Sequence, residues 1–196
     1  MFYWMAHGLF VVLSKLVFPI HVHGLENIPP KKGFILASNH LSNMDPMILG
    51  MATGHRLNYM AKHSLFKGKV FSWVLNQVGA FPVKRDSPDI GAVKEALKRL
   101  KGDCGRGLVV FPEGTRKAKA LEQKAEPGVG LLSVKSGVPV IPAFIQGSDK
   151  VLAPGSKALK RGRVTVTFGR AVPYNKEDSY QEIANQIMAH VNSLCA

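Results

Sequence analysis

Within the run ILASNHLSNMDP, Ile35 to Pro46, His40 is followed by Asp45 with four residues between them. An imidazole whose pKa lies near neutrality can take a proton from an attacking hydroxyl. A nearby carboxylate fixes its tautomer through one ring nitrogen and stabilises the cation that forms, leaving the other nitrogen to face a substrate. Asp followed by Pro46 also suits a helix start, with Asp45 as N-cap and Pro46 as first helical residue. The two roles are compatible. The spacing alone is weak evidence, because His and Asp often fall this way by chance. Ser42 is the competing nucleophile in the motif, and its place in a turn suits local hydrogen bonds better.

Two further segments place chemistry-bearing residues where strands end. FPEGTR, Phe111 to Arg116, follows the apolar run GLVV. Gly114 lets backbone approach a ligand, Glu113 can accept hydrogen bonds from substrate hydroxyls, and Arg116 offers the planar fork that suits a phosphate. A plain turn carrying surface charge is the alternative. GAFPVKR, Gly79 to Arg85, ends in the cations Lys84 and Arg85. Three strand ends bearing a base with its acid, a Glu with an Arg, and a cationic pair would build one anion-binding, hydroxyl-activating site.

These residues need a scaffold, and the rest of the chain reads as one. At 196 residues and 46% apolar composition, it has the size and core-forming residues of a single domain. Short β-branched runs alternate with helical stretches, so the fold class is α/β, a central, mostly parallel mixed sheet flanked by helices. The expected strands are GFILAS, LNYMA, GAFPV, GLVVF, VPVIPAFI and RVTVTFG. Ser87 and Pro88 read as cap and first residue of a helix that buries Ile90, Val93, Leu97 and Leu100 and stops at Gly102. Ser179 and Glu182 have capping-box spacing, before a closing helix with the stripe Ile183, Ile187, Val191 and Leu194. The polar run Arg116 to Glu126 is expected to be a loop.

The first twenty residues stand apart. They lack Lys or Arg before Lys15 and carry no small-residue cleavage site, so they do not read as a signal peptide. Phe2 to Phe18 is at the short end of a bilayer span, and His7, Gly8, Ser14 and Lys15 gather in one helical stripe. Residues 1–20 are therefore expected to be an amphipathic helix lying in the membrane interface, with Tyr3 and Trp4 at headgroup depth, and residues 21–196 a catalytic domain. A core-packing helix is the competing account.

Twenty-six Lys and Arg against thirteen Asp and Glu give a formal charge of +13. An anionic partner is expected: nucleic acid, anionic membrane, phosphorylated substrate or acidic carrier. No nucleic-acid motif is recognisable, and aromatics do not interleave with basic residues on a strand. Cys104 and Cys195 are the only cysteines and lack metal-knuckle or redox spacing, which fits a reducing compartment. His21 and His23 alternate as on one strand face without a third ligand nearby, so they read as surface histidines. We expect no metal and no cofactor.

NHLSNMD, GAFPVKR, FPEGTR and VPVIPAFI, in that order, resemble the four blocks of the glycerolipid acyltransferases, most closely the bacterial 1-acyl-glycerol-3-phosphate acyltransferases. The resemblance spans about Gly24 to Phe168. It implies His40 as general base with Asp45 as partner, and Glu113, Gly114, Thr115, Arg116 and Arg85 as binders of the acceptor, with Lys62 as a secondary phosphate candidate. It implies acyl transfer from an acyl carrier protein or acyl-coenzyme A to the sn-2 hydroxyl of lysophosphatidic acid, giving phosphatidic acid without an acyl-enzyme. The partners are then donor, acceptor and a lipid surface at the cytoplasmic face of the membrane, and not nucleic acid. One departure is KAEPGVG, where relatives commonly have a Lys and an aromatic before Pro-Gly and this chain has Ala125 and Glu126. Another acceptor, such as a different lysophospholipid or an aminoacyl lipid, is the rival within enzymes. A non-catalytic basic module binding membrane or nucleic acid is the rival outside them.

Overall fold

The computed structural model describes residues 2–30, 32–84, 89–102, 106–114, 125–156 and 158–195. Seven strands form one sheet in the order β1-β7-β6-β2-β5-β3-β4: β1 Ile20–His23, β2 Phe34–Ser38, β3 Leu57–Lys62, β4 Ala80–Val83, β5 Gly107–Val110, β6 Val140–Gln146 and β7 Val164–Phe168. All neighbours pair in parallel except β6 with β7. Burial explains the composition of each strand. β2 is covered on both faces and is a continuous apolar run up to Ser38, whereas VTVTF of β7 alternates buried with half-buried residues.

The helices are α1 Phe2–Val17, α2 Asp45–Thr53, α3 Lys69–Gln77, α4 Ile90–Lys101, α5 Gly128–Ser136, α6 Ser148–Val151 and α7 Tyr180–Ser193. On one face of the sheet, Ile48, Leu49 and Ala52 of α2 pack with Phe34, Leu36, Ile141 and Ile145. On the other, Ala96 of α4, Leu132 of α5 and Ile183, Ile187 and Val191 of α7 cover Ile35, Ala37 and Leu108. Ser179 and Glu182 close the expected capping box at the start of α7.

Chain direction across the sheet positions the site. From β2 the chain moves outward through α2 to β3 and through α3 to β4, and right-handed crossovers then put α2 and α3 on one face. From β4 it returns through α4 to β5 and through α5 to β6, on the opposite face. β2 and β5 are neighbours whose onward connections leave on opposite faces. That is a topological switch point, and in open α/β sheets it is at such a point, outside the carboxyl ends of the strands, that a crevice receives ligands.

Three expectations are corrected. Asp89, rather than Ser87, caps α4, its Oδ1 accepting the Ala92 N–H at 2.9 Å; Ser87 and Pro88 lie outside the described residues. The α4 stripe is accordingly rotated: Ala92, Ala96 and Leu100 are buried, with Val93 and Leu97 packed beside them, while Ile90 is exposed. In α1 the polar stripe is split. Gly8 and Lys15 are exposed, but Ser14 is buried, because its hydroxyl is satisfied within the helix by the Val11 carbonyl at 2.9 Å. Phe10, Val12 and Leu16 face solvent. So α1 packs one side against α2 and presents apolar residues on another. Among the described residues, no helix is long and apolar enough to cross a membrane.

Candidate active site

β2 ends at Ser38 in the middle of the sheet, and the next residues are pinned by side chains. Asn39 is buried and bridges to β6: its Nδ2 donates to the Ile145 carbonyl at 2.9 Å, and its Oδ1 accepts the Ile145 N–H at 2.7 Å. The amide completes both backbone groups of Ile145, as a neighbouring strand would. His40 therefore begins its turn from a fixed point.

Asp45 closes that turn. Its Oδ2 accepts from His40 Nδ1 at 2.9 Å, from the Leu41 N–H at 2.6 Å and from the Ser42 N–H at 2.7 Å. Asp45 is the first residue of α2 rather than its side-chain cap, and no side-chain hydrogen bond caps this helix. The correction has a simple cause: the carboxylate reaches back into residues 40–42, where its Oδ2 takes all three donors and its Oδ1 stays buried without a partner. Pro46 sits in the first helical turn, where no intrahelical partner for its missing N–H is needed. Ser42 is buried, donates to the Leu152 carbonyl at 2.8 Å and accepts the Met44 N–H at 3.2 Å, the structural role expected of it.

With Nδ1 committed to Asp45, Nε2 of His40 carries no hydrogen bond to a described residue. The Phe111 ring, just past β5, stacks on the imidazole at a centroid distance of 4.0 Å and 16° between planes. Carboxylate, strand-end amide and aromatic plate together leave the imidazole little rotational freedom. That fixed orientation is what a general base requires.

Glu113 approaches His40 from the neighbouring strand. The turn after β5 is closed by the Gly114 N–H donating to the Phe111 carbonyl at 3.0 Å, with Gly114 in the left-handed region at φ 68°. Any Cβ there would be strained and would meet Glu126 Cγ at 2.9 Å. The turn directs Glu113 inward, where it is buried. Its Oε1 accepts the His40 N–H at 3.4 Å, and its Oε2 has no hydrogen-bond partner. Burial pushes this carboxyl up to about 7; the His40 N–H opposes the shift, and the charge of Asp45 adds to it. A buried bare oxygen at a crevice fits a group that completes its hydrogen bonding with a ligand.

The structure thus brings His40, Asp45, Glu113 and Gly114 together at the switch point between β2 and β5. Because the Gly114 N–H is used within its own turn, it is not available as an oxyanion donor. Lys62 is exposed at the carboxyl end of β3, on the same edge of the sheet but two strand spacings from β2, about 10 Å laterally. Arg85, Thr115 and Arg116 lie outside the described residues, as do Cys104 and residues 116–124 of the expected loop. Lys84 is exposed, and its N–H donates to Asp89 Oδ2 at 2.9 Å. His21 and His23 are exposed on the edge strand β1. Sequence reasoning missed Asn39 and Phe111. A polar amide directly after a fully apolar strand was the one available signal for the first; nothing local signals the stacking of the second.

Comparisons with known proteins agree with this geometry. The acyltransferase family model matches residues 19–146. A 1-acyl-sn-glycerol-3-phosphate acyltransferase of Bacillus subtilis is 31% identical over 86% of this chain and 81% of its own length. One of Streptococcus pneumoniae is 27% identical over 99% of this chain and 73% of its own. Among solved structures, the 1-acyl-sn-glycerophosphate acyltransferase PlsC of Thermotoga maritima matches with a TM-score of 0.74 at 26% identity, over 91% of this chain and 73% of that one. The chain belongs to the acyltransferase family. The α/β architecture expected from the sequence is that of the Thermotoga maritima enzyme.

Proposed function

We propose that the protein transfers an acyl group from an acyl thioester to the sn-2 hydroxyl of 1-acyl-glycerol-3-phosphate, giving phosphatidic acid, with His40 as general base. The observation that carries this reading is the 2.9 Å contact between His40 Nδ1 and Asp45 Oδ2 at the strand switch point, beside the bare oxygen of Glu113. The names of the relatives supply the acceptor class.

In this reading Nε2 of His40 takes the hydroxyl proton as the oxygen attacks the thioester carbonyl. Asp45 holds the tautomer and stabilises the imidazolium. The tetrahedral intermediate collapses by breaking the carbon–sulfur bond, and the thiolate leaves, taking the proton from His40. Glu113 completes its hydrogen bonding on a glycerol oxygen of the acceptor. Arg116 and Arg85, with Lys62 more distantly, bind the phosphate. Acyl carrier protein and acyl-coenzyme A are both anionic donors that suit a chain of charge +13. Residues 1–20 form the interfacial anchor and residues 21–196 the catalytic domain, working at the cytoplasmic face of the membrane. The apolar, exposed Phe10, Val12 and Leu16 beside Lys15 support that placement.

The test is thiol release from an acyl thioester with lysophosphatidic acid as acceptor, compared with a neutral monoacylglycerol, with the lipid product identified. Acceptor-dependent release that yields phosphatidic acid and falls sharply with the neutral acceptor is expected. Equal rates with both acceptors would remove the phosphate-binding assignment. No turnover with either donor would remove the reaction.

A further inference from the structure

Among α2, α3, α4, α5 and α7, only α3 has no buried residue. Its Val74 and Leu75 are half-buried, while three large apolar side chains face outward: Val70 is 79% exposed, Phe71 53% and Trp73 52%. Leu65, in the 3₁₀ turn His63–Phe66 that precedes it, is also exposed. Apolar surface of this kind, concentrated on nine residues and the turn before them, requires a partner to leave water.

The surroundings indicate which partner. Lys62, Lys67 and Lys69 are all exposed along the same segment, and no acidic residue lies between Asn58 and Val83. A Trp and a Phe on an apolar face rimmed by lysines match a bilayer with anionic headgroups: the rings reach the acyl boundary and the cations remain at the phosphates. Position supports this too. The segment begins at the carboxyl end of β3, on the sheet edge that carries His40 and Glu113, and α3 lies on the same face as α2, against which α1 packs. A lipid surface touching α3 therefore lies beside the crevice to which a lipid acceptor must come.

We propose that the segment from Leu65 to Trp73 is a second membrane-docking surface, separate from α1, that binds anionic phospholipid bilayers. The proposal rests on the lipid-acceptor reading for its purpose but not for its readout. Trp4 and Trp73 are the two tryptophans of the chain, so Trp4→Phe in the full-length protein leaves Trp73 as the sole indole reporter. The probe is a vesicle of equimolar phosphatidylglycerol and phosphatidylcholine, with and without brominated acyl chains. A blue shift of Trp73 emission and quenching by the brominated lipid are expected. The pair Val70→Ser with Phe71→Ser is expected to weaken vesicle binding about tenfold or more. It should leave turnover of a short-chain, monomeric lysophosphatidic acid unchanged, since these residues stand outside the crevice.

Trp73 emission indifferent to vesicles, or vesicle affinity unchanged in the double variant, would overturn the proposal. So would a Trp73 response to acyl carrier protein but not to vesicles, which would make this face a carrier dock. Failure of the acyltransferase reading would appear separately, as absence of phosphatidic acid from the monomeric acceptor in the unaltered protein.

Discussion

The turn after β2 and the turn after β5 each bring one buried carboxyl to His40, and they equip it in opposite ways. Asp45 Oδ2 accepts three hydrogen bonds within 2.9 Å, from one imidazole and two backbone amides. Glu113 accepts one, at 3.4 Å, and its second oxygen has none. Each carboxyl keeps one buried oxygen without a partner, Asp45 Oδ1 and Glu113 Oε2, but the three donors on Asp45 Oδ2 make the first part of the frame. The second is held by a single long bond and, raised to about 7 by burial, changes protonation near neutral pH. Proximity to the histidine thus does not assign a role; the number of donors that the backbone has already supplied does.

The sharpest way to break this contrast is Asp45→Asn. The amide leaves the imidazole without its tautomer-fixing acceptor and should lower kcat by about 10²–10⁴-fold. A loss no larger than that of Glu113→Gln would erase the distinction between the firmly held carboxyl and the loosely held one. Next in size is the support behind His40. Asn39→Ala orphans both the N–H and the carbonyl of Ile145 and should cost about 2–4 kcal/mol, seen as a melting temperature lower by roughly 5–15 °C.

Glu113→Gln sharpens the contrast through pH. A carboxyl whose folded pKa is raised from 4.5 to about 7 contributes stability that is fully present below the unfolded value and is lost as pH rises through the folded one. Gln mimics the neutral form at every pH. The variant should therefore gain on the parent by about 1–3 kcal/mol between pH 5 and pH 8, measured by denaturant unfolding at each pH. A difference independent of pH would contradict the raised carboxyl. The smallest effect on turnover is expected far from the crevice, at Arg99. Its guanidinium bonds Asn58 Oδ1 and the Gly79 carbonyl, and lies over the Phe81 ring at 4.6 Å. Arg99→Leu should cost about 1–2 kcal/mol of stability while turnover stays within about twofold.

Much of the frame was legible in the sequence because it is local. β2 to β7 fall within two residues of their apolar runs: β2, β5 and β6, buried on both faces, read as near-continuous apolar stretches, and β7 as an alternation. The His40–Asp45 contact was legible because a five-residue offset across a turn can be closed by the helix that Pro46 starts. What escaped depends on distance or on direction. Asn39 acts on Ile145, 106 positions away, and no local pattern announces that partner. The Asp45 cap was misread because cap and turn-closing acceptor share one residue type, and the difference lies in which backbone amides come within reach. α3 shows the same limit: its apolar residues fall on both sides, Val74 and Leu75 half-buried and Val70, Phe71 and Trp73 exposed, and the pattern alone does not say which side meets the sheet. The split stripe of α1 follows from Ser14 finding its acceptor inside the helix, which makes burial of a hydroxyl tolerable.

The central claim is that Asp45 acts through His40, and a double-mutant cycle on phosphatidic acid formation tests it most directly. His40→Ala, Asp45→Asn and the double variant would be compared at saturating acyl thioester and lysophosphatidic acid, with folding of each verified by circular dichroism. If the two residues form one unit, the double variant is no slower than His40→Ala alone, because a missing imidazole has no tautomer left to fix. Losses that multiply, with the double variant slower than His40→Ala by the full Asp45→Asn factor, would mean that the two residues act independently and would contradict the account.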